Sequence, residues 1–322
     1  MAKSRAPSPP QTLAEYLQAF AQLNVNRAGG IASPHKPCML LAMMGLAEAG
    51  KLAQNQIRFE PPMLERYARF FNIVRGPSDH PNPWFPFFHL RSDGFWHLQP
   101  KPGREVALDV LDSARSASVI AENVACASLD PALHSLVLDP IAREQLRQQL
   151  VVAWFGAFSK PLNALFEEER QIDNAEIDLR KRIEGEQAAP VEAPSDPARS
   201  AAFRRIVTEA YDYRCAASGW RIILPDSTVL VEAAHLVPYA DSHDDDPRNG
   251  IALSPSFHWA MDKYIIAPGP DFKWHVSKTL DDRLPDNRPL LELEGKLVIL
   301  PRENSYAPKM ESLDWRLSKL AR

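Results

Sequence analysis

Apolar residues recur at helical spacing in TLAEYLQAFAQL, which predicts an amphipathic helix over residues 12–23 with Thr12 as its N-cap. In SPHKPCMLLAMMGLAEAGKL, Pro37 stands near a helix start and an almost continuous apolar run closes at Gly50, the pattern of a buried helix. Residues 56–59 read as a short strand, and PMLERYARFFNIV (62–74) as a further amphipathic helix. Residues 84–98 read as a hairpin: WFPFFHL, a turn at Ser92-Asp93-Gly94, then FWHL. Helical segments follow to about Phe158. Helices closed by one β-hairpin predict an α+β fold class, with a winged-helix-like N-terminal domain over 11–160 behind a disordered tail at 1–10.

The pattern changes at about Pro161. In LNALFEEERQIDNAEIDLRKRIEGE opposite charges often stand four apart, as on an exposed helix. EQAAPVEAPSDPAR concentrates Pro and Ala and reads as a linker, so residues 161–198 form a charged connection. A second domain is expected over 199–322. It opens with the helix AAFRRIVTEAYDYRC, followed by CAASGW (215–220) and a strand in STVLVEAAHLVPYA ending near Pro238. The acidic loop DSHDDDP leads to RNGIAL, and Ser254-Pro255 gives an N-cap with proline at the first helical position. No internal repeat is visible.

The net charge of −4 looks unfavourable for a nucleic-acid partner until it is divided along the chain. Residues 1–160 carry +3, 161–198 carry −6 and 199–322 carry −1, so the acidity is concentrated in the connection. Bulk charge therefore leaves a DNA partner open, because binding needs a local basic face. No run of about 18 apolar residues suggests a membrane span. The opening MAKSRAPSPPQ lacks the apolar stretch of a signal peptide. Cys38, Cys126 and Cys215 are odd in number and far apart, which argues against a disulfide framework and fits a cytoplasmic setting.

Candidate chemistry gathers in the second domain. In SFHWAMDKY, His258 and Asp262 stand four apart on one helical face, close enough to share a cation. His235 lies at a strand end and Asn249 after a loop. Phosphodiester hydrolysis needs a base to activate water and a cation to stabilise the pentavalent transition state. The strand–loop–helix order supplies both, as in a ββα-metal site. His243 with Asp244, Asp245 and Asp246 reads as a solvated, flexible loop. Arg248 is equally suited to a phosphate or to a salt bridge into that loop.

EAAHLVPYA…DPRNGIALSPSFHWAMD resembles the core of HNH endonucleases, especially the branch found in predicted restriction enzymes, over roughly residues 215–266. The resemblance implies that His235 is the general base, that Asn249 orients it, and that His258 ligates a metal. Asp262 occupies the second helical ligand position, often histidine in the family. A carboxylate there favours one hard divalent ion, Mg²⁺ or Mn²⁺. Many relatives place Asp or His immediately before the base, where this chain has Ala234. Strand alternation puts Glu232 on the same side, as a substitute metal ligand or as a structural hydrogen-bonding group. Zinc-ribbon cysteines are missing, and Cys215 reads as a buried thiol with Ser218-Gly219 turning the chain.

In the first domain, HKP (35–37), the apolar helix after it, and FPFFHL with DGFW resemble the sulfur-binding domains of phosphorothioate-dependent restriction enzymes. The resemblance spans roughly residues 30–100. It implies that Phe85 and Pro86 form an apolar pocket lined by His89, while His35 and Lys36 contact adjacent bases or phosphates. The family usually carries Tyr where Phe85 stands, so the pocket lacks that hydroxyl. The bland alternative is a hairpin packing its aromatics into a core.

Together these resemblances imply a modification-dependent restriction endonuclease acting on phosphorothioate-modified double-stranded DNA. Two alternatives stand: a nuclease reading another modification or a plain sequence, and a non-catalytic DNA-binding protein with a degenerate HNH fold. HNH sites generally make one cut, so a double-strand break calls for a homodimer or two visits.

Overall fold

Thr12 accepts the backbone N–H of Glu15 on its hydroxyl, and the Glu15 carboxylate accepts the Thr12 backbone N–H. This capping box starts helix α1 (Leu13–Ala21) where the sequence predicts it. The computed structural model describes residues 11–28, 30–185, 196–224 and 228–321; the expected N-terminal tail and residues 186–195 of the expected linker lie outside them. The chain divides into two units, residues 1–170 with 224–228, and residues 171–223 with 229–322.

In the first unit α1 is followed by a small antiparallel pair, β1 (Arg27–Ala28) and β2 (Ile31–Ala32). Helix α2 (His35–Glu48) is buried along most of its length and is followed by Gly50 at φ 72°. Helix α3 (Pro61–Val74) packs its apolar face on α2. Next comes α4 (Trp84–His89), where the sequence predicts a strand. Pro83, Pro86, Phe87 and Leu90 are buried, a spacing of i, i+3, i+4, i+7 that belongs to a helix. Pro86 falls in the first turn, where its missing N–H breaks no bond. The expected hairpin, and with it the winged-helix-like reading, is therefore corrected. Strand β3 (Trp96–Pro100) follows, and short helices α5 (Glu105–Asp109) and α6 (Ala117–Asn123) lead to β4 (Val124–Leu129). Strand β3 pairs with β4 in antiparallel fashion, Trp96 opposite Leu129. The expected strand at 56–59 reduces to a single bridge from Ile57 to Ala127. Helices α7 (Pro131–Leu138) and α8 (Pro140–Trp154) complete a core with α1 and α2.

Helix α9 (Ser159–Ile183) contributes its first turns to the first unit and the rest to the second. It is not the solvated rod its charge pattern predicts. Its buried stripe includes Glu169, Asp173 and Glu176 among Leu165, Ile172 and Leu179. Arg66 lies 2.6 Å from Glu169, Arg205 3.4 Å from Asp173 and Arg180 2.9 Å from Glu176. Arg66 of α3, Arg205 of α10 and Arg180 of α9 itself make burial of those carboxylates tolerable.

Helix α10 (Asp196–Ala210) starts three residues before the expected boundary. Its Phe203, Ile206 and Val207 share a core with Ala234, Ile251, Leu253 and Met261. Those partners belong to a ββα unit: β5 (Glu232–His235), the short helix α11 (Tyr239–Ser242), β6 (Gly250–Leu253) and α12 (Pro255–Asp262). Strands β5 and β6 are antiparallel, with Glu232 opposite Leu253 and His235 opposite Gly250. An antiparallel pair, β7 (Ile266–Pro268) and β8 (Trp274–Val276), and helices α13 (Arg288–Leu291) and α14 (Met310–Ser318) finish the unit. No helix of the described residues is long and apolar enough to cross a membrane.

Candidate functional site

His235 ends β5 with its ring stacked on Phe203, centroids 4.0 Å apart and planes 4° from parallel. Gly250 makes this possible. A Cβ there would come within 2.8 Å of the Phe203 ring and 2.5 Å of Val207, so any side chain would push Phe203 out of place. His235 Nε2 lies 3.3 Å from Asp245 Oδ1. Burial pulls the imidazole's pKa below the ordinary histidine value; Asp245 and Asp244 oppose this, and His258 adds to it.

The start of α12 is fixed from below. Cys215 is buried, and its sulfur accepts the backbone N–H of Ser218 and of Ser254, tying the turn at Gly219 to the residue that precedes α12. One turn into the helix stands His258. Its Nδ1 lies 2.8 Å from Glu232 Oε2 and its Nε2 lies 3.4 Å from Asp262 Oδ2. The register explains the first contact: Glu232 sits opposite Leu253, the residue before the Ser254 cap. Glu232, His258 and Asp262 thus come together as the sequence predicts. The two carboxylates, however, engage opposite ring nitrogens, which diverge, so one ion cannot meet all three in this arrangement. Ala234 is fully buried and cannot be replaced at the surface by a ligand.

Among the described residues no three His, Cys, Asp or Glu side chains converge as a ready ligand group. The pair that fits a divalent cation is the His258 Nε2 with the Asp262 carboxylate, mixed nitrogen and oxygen donors on one exposed helical face. Glu232, on Nδ1, has the place of the outer partner that orients a ligating histidine.

Asn249 does not touch the His235 ring. It is buried, and its side chain accepts the N–H of Val237 and donates to the carbonyls of Val237 and Asp244. It holds the loop after β5, and the contacts to the ring belong to Phe203, Asp245 and Tyr239 instead. The acidic loop is also unlike the flexible segment expected. Asp244 and Asp246 share Lys309 at 3.1 and 2.9 Å, Asp246 pairs with Arg248 at 2.7 Å, and Asp245 faces Arg199 at 3.5 Å. Arg248 is thereby committed to the loop rather than to a phosphate. Buried Arg316 of α14 donates to the carbonyls of His235, Leu236 and Met261, joining β5 to α12.

The first unit holds a cavity of about 640 Å³ lined by residues that include His35, Lys36, Phe85, Pro86 and His89. All five predicted residues are brought together there. Phe85 is 38% exposed and runs nearly parallel to His89, 6.0 Å away. Lys36 and His35 both have partners within the unit. Lys36 is buried with its ammonium 2.6 Å from Asp93 and 3.0 Å from Ser92, so it is not free for a phosphate. His35 has Nδ1 on Ser33 and Nε2 on the His80 carbonyl, leaving neither nitrogen for a base. Burial lowers the pKa of His89, helped by Lys36 and Arg91, which keeps it neutral. Asn24, Asn26 and Asn82 also line the cavity and were missed, since isolated asparagines in loops carry no pattern.

The fold and these contacts define a ββα nuclease-type domain joined to a helical domain whose cavity sets Phe85 and Pro86 among polar side chains. The family described as HNH endonuclease matches residues 215–267. The family described as ScoMcrA-like, DNA sulfur-binding domain matches residues 13–167. The chain thus carries an HNH-like nuclease domain and a domain resembling the sulfur-binding domains of phosphorothioate-dependent restriction systems. No curated protein matches it. Among solved structures, a modification-dependent TagI restriction endonuclease aligns at 20% identity over 40% of each chain, with a TM-score of 0.31. The sulfur-binding domain of SprMcrA complexed with phosphorothioated DNA aligns at 18% identity over 45% of this chain and 86% of that one, with a TM-score of 0.33.

Proposed function

We propose that the protein is a modification-dependent DNA endonuclease in which the N-terminal unit reads phosphorothioate-modified duplex and the HNH-like unit hydrolyses a phosphodiester. The observation that supports the nuclease reading is that one strand, β5, ends on His235 and at its other end carries Glu232, which pairs with His258 beside Asp262 on α12.

His235 acts as general base. Its lowered pKa leaves the ring neutral near pH 7, able to take a proton from water. His258 and Asp262 are the residues that would hold one Mg²⁺ or Mn²⁺, with Glu232 fixing the His258 ring. When bound, such an ion supplies stabilisation of the charge on the pentavalent phosphate and the leaving oxygen. Asn249 and Arg316 keep the end of β5 in register with α12, which fixes the base relative to the helix.

The sulfur reading rests on the character of the cavity. Phe85 and Pro86 present apolar wall, His89 is held neutral, and the Lys36 charge is already met by Asp93. That side of the cavity offers little to a hydrated phosphate oxygen and suits sulfur, which is larger, softer and poorly hydrated, while Asn24, Asn26 and Asn82 offer amides to the polar part of the ligand. His35 and Lys36 shape the wall rather than donate to the ligand. Buried Ala234 favours the contrary reading of a non-catalytic DNA-binding protein, and a plasmid-nicking assay separates the two. Wild-type protein should nick in the presence of Mg²⁺ or Mn²⁺ and stop on chelation. His235→Ala should lower the rate about 100- to 10,000-fold while DNA affinity stays the same. Equal nicking by the variant would remove the base assignment.

A further inference from the structure

We propose that Asp245 is a positioning residue that holds the Nε2–H tautomer of His235, making Nδ1 the nitrogen that receives the proton. The inference rests on the reading of His235 as the base, and deepens it. A carboxylate can only accept a hydrogen bond, so a neutral imidazole facing Asp245 through Nε2 must carry its proton on that nitrogen. The facing atoms are 3.3 Å apart, and no other partner for either ring nitrogen of His235 occurs among the described residues.

Asp245 is itself held. Its side chain is only 9% exposed, and its second oxygen faces Arg199 of α10 at 3.5 Å. The same guanidinium donates to the Tyr239 hydroxyl at 2.6 Å, which spans the loop from the other side. Stacking on Phe203 restricts the ring to one plane, so Asp245 needs to choose only which edge points inward. Three neighbouring anchors, Lys309 on Asp244 and Asp246 and Arg248 on Asp246, keep the loop in place. The acidic run therefore has a chemical use at its middle residue and structural uses at its ends.

The other groups facing the ring are few. Among the described residues, Asp244 of the loop, His258 of α12 and the Tyr239 ring of α11 also face it, with Arg199 of α10 behind Asp245. Arg316 of α14 meets His235 at its backbone carbonyl and not at its ring. Among the described residues, Asp245 alone is in hydrogen-bonding contact with the ring.

The test uses the full-length chain with ¹⁵N-labelled histidine, without metal or DNA, and His235→Asn to assign the resonances. The wild type should show the Nε2–H form of His235 above its pKa. Asp245→Ala should redistribute the tautomers and lower the His235 pKa, and Asp245→Glu should restore the wild-type pattern. Should the alanine variant unfold, Asp245→Asn keeps size and an acceptor while removing the charge. Its His235 pKa should still fall, and the acid limb of the nicking profile should move to lower pH. The nicking rate on the plateau should drop about 10- to 100-fold. A folded Asp245→Ala or Asp245→Asn protein whose His235 tautomer and pKa match the wild type overturns the assignment. That result is independent of nicking by His235→Ala, which judges the base itself.

Discussion

Three aspartates in succession would repel one another in an open loop, yet Asp244, Asp245 and Asp246 are each met by a cation. Asp246 shows the consequence. Burial opposes its ionisation, but Arg248 and Lys309 hold the carboxyl down to about 2. A group whose folded pKa lies below its unfolded value stabilises above the unfolded value and loses that effect as pH falls through the folded one. Unfolding free energy should therefore drop between about pH 4 and pH 2 by roughly 1–2 kcal/mol from this residue, allowing for solvent screening. Urea titrations of wild type and Asp246→Asn across that range should converge at the acid end; parallel curves would speak against it. The sequence made His235, His258, Asp262 and Glu232 visible because strand end, helix cap and i,i+4 spacing coincide. It did not reveal that Asp245 touches His235 or that Lys36 is neutralised, because a charge carries no mark of its partner until the chain folds. Asn249 was found by its place in the motif, while its action on the loop rather than on the ring needed coordinates.

At the level of elements, helices with distinct apolar and polar faces were the most legible. Helix α3 and the capped α1 stand within a residue or two of their predicted bounds. Helix α4 was misread because nearly every residue from Pro83 to Phe88 is apolar, which erases the difference between a period of 2 and one of 3.6. Strand β4 was missed for the opposite reason: VACASL is too small and mixed to announce itself, and its partner lies 24 or more residues earlier. The charged face of α9 was legible, but not the arginines that bury part of it. The joint between β5 and α12 depends on Arg316, whose guanidinium serves three carbonyls in a buried place. Arg316→Met should cost about 2–4 kcal/mol, since those carbonyls lose their donors. Chemical denaturation would measure it, and a loss below about 1 kcal/mol would mean that the joint is held by packing alone.

The chain as a whole pairs two units of different chemistry. One offers a cavity with Phe85 and Pro86 on one side, asparagines around it and its Lys36 already paired with Asp93. The other offers a strand-end histidine and a helix bearing His258 and Asp262, the residues proposed as base and as cation ligands. Their combination was legible in the sequence from two motif groups far apart, and the family matches over residues 13–167 and 215–267 each include one of those groups. On the proposed reading, selectivity comes from the N-terminal unit, so cutting should follow what the cavity accepts. The decisive measurement is cleavage of two plasmids of identical sequence, one bearing phosphorothioate linkages, by the full-length protein with Mg²⁺ or Mn²⁺. Faster cutting of the modified plasmid, by tenfold or more, is the expected result. Equal rates on both would contradict sulfur-dependent cutting, and no cutting of either would contradict the hydrolytic assignment itself.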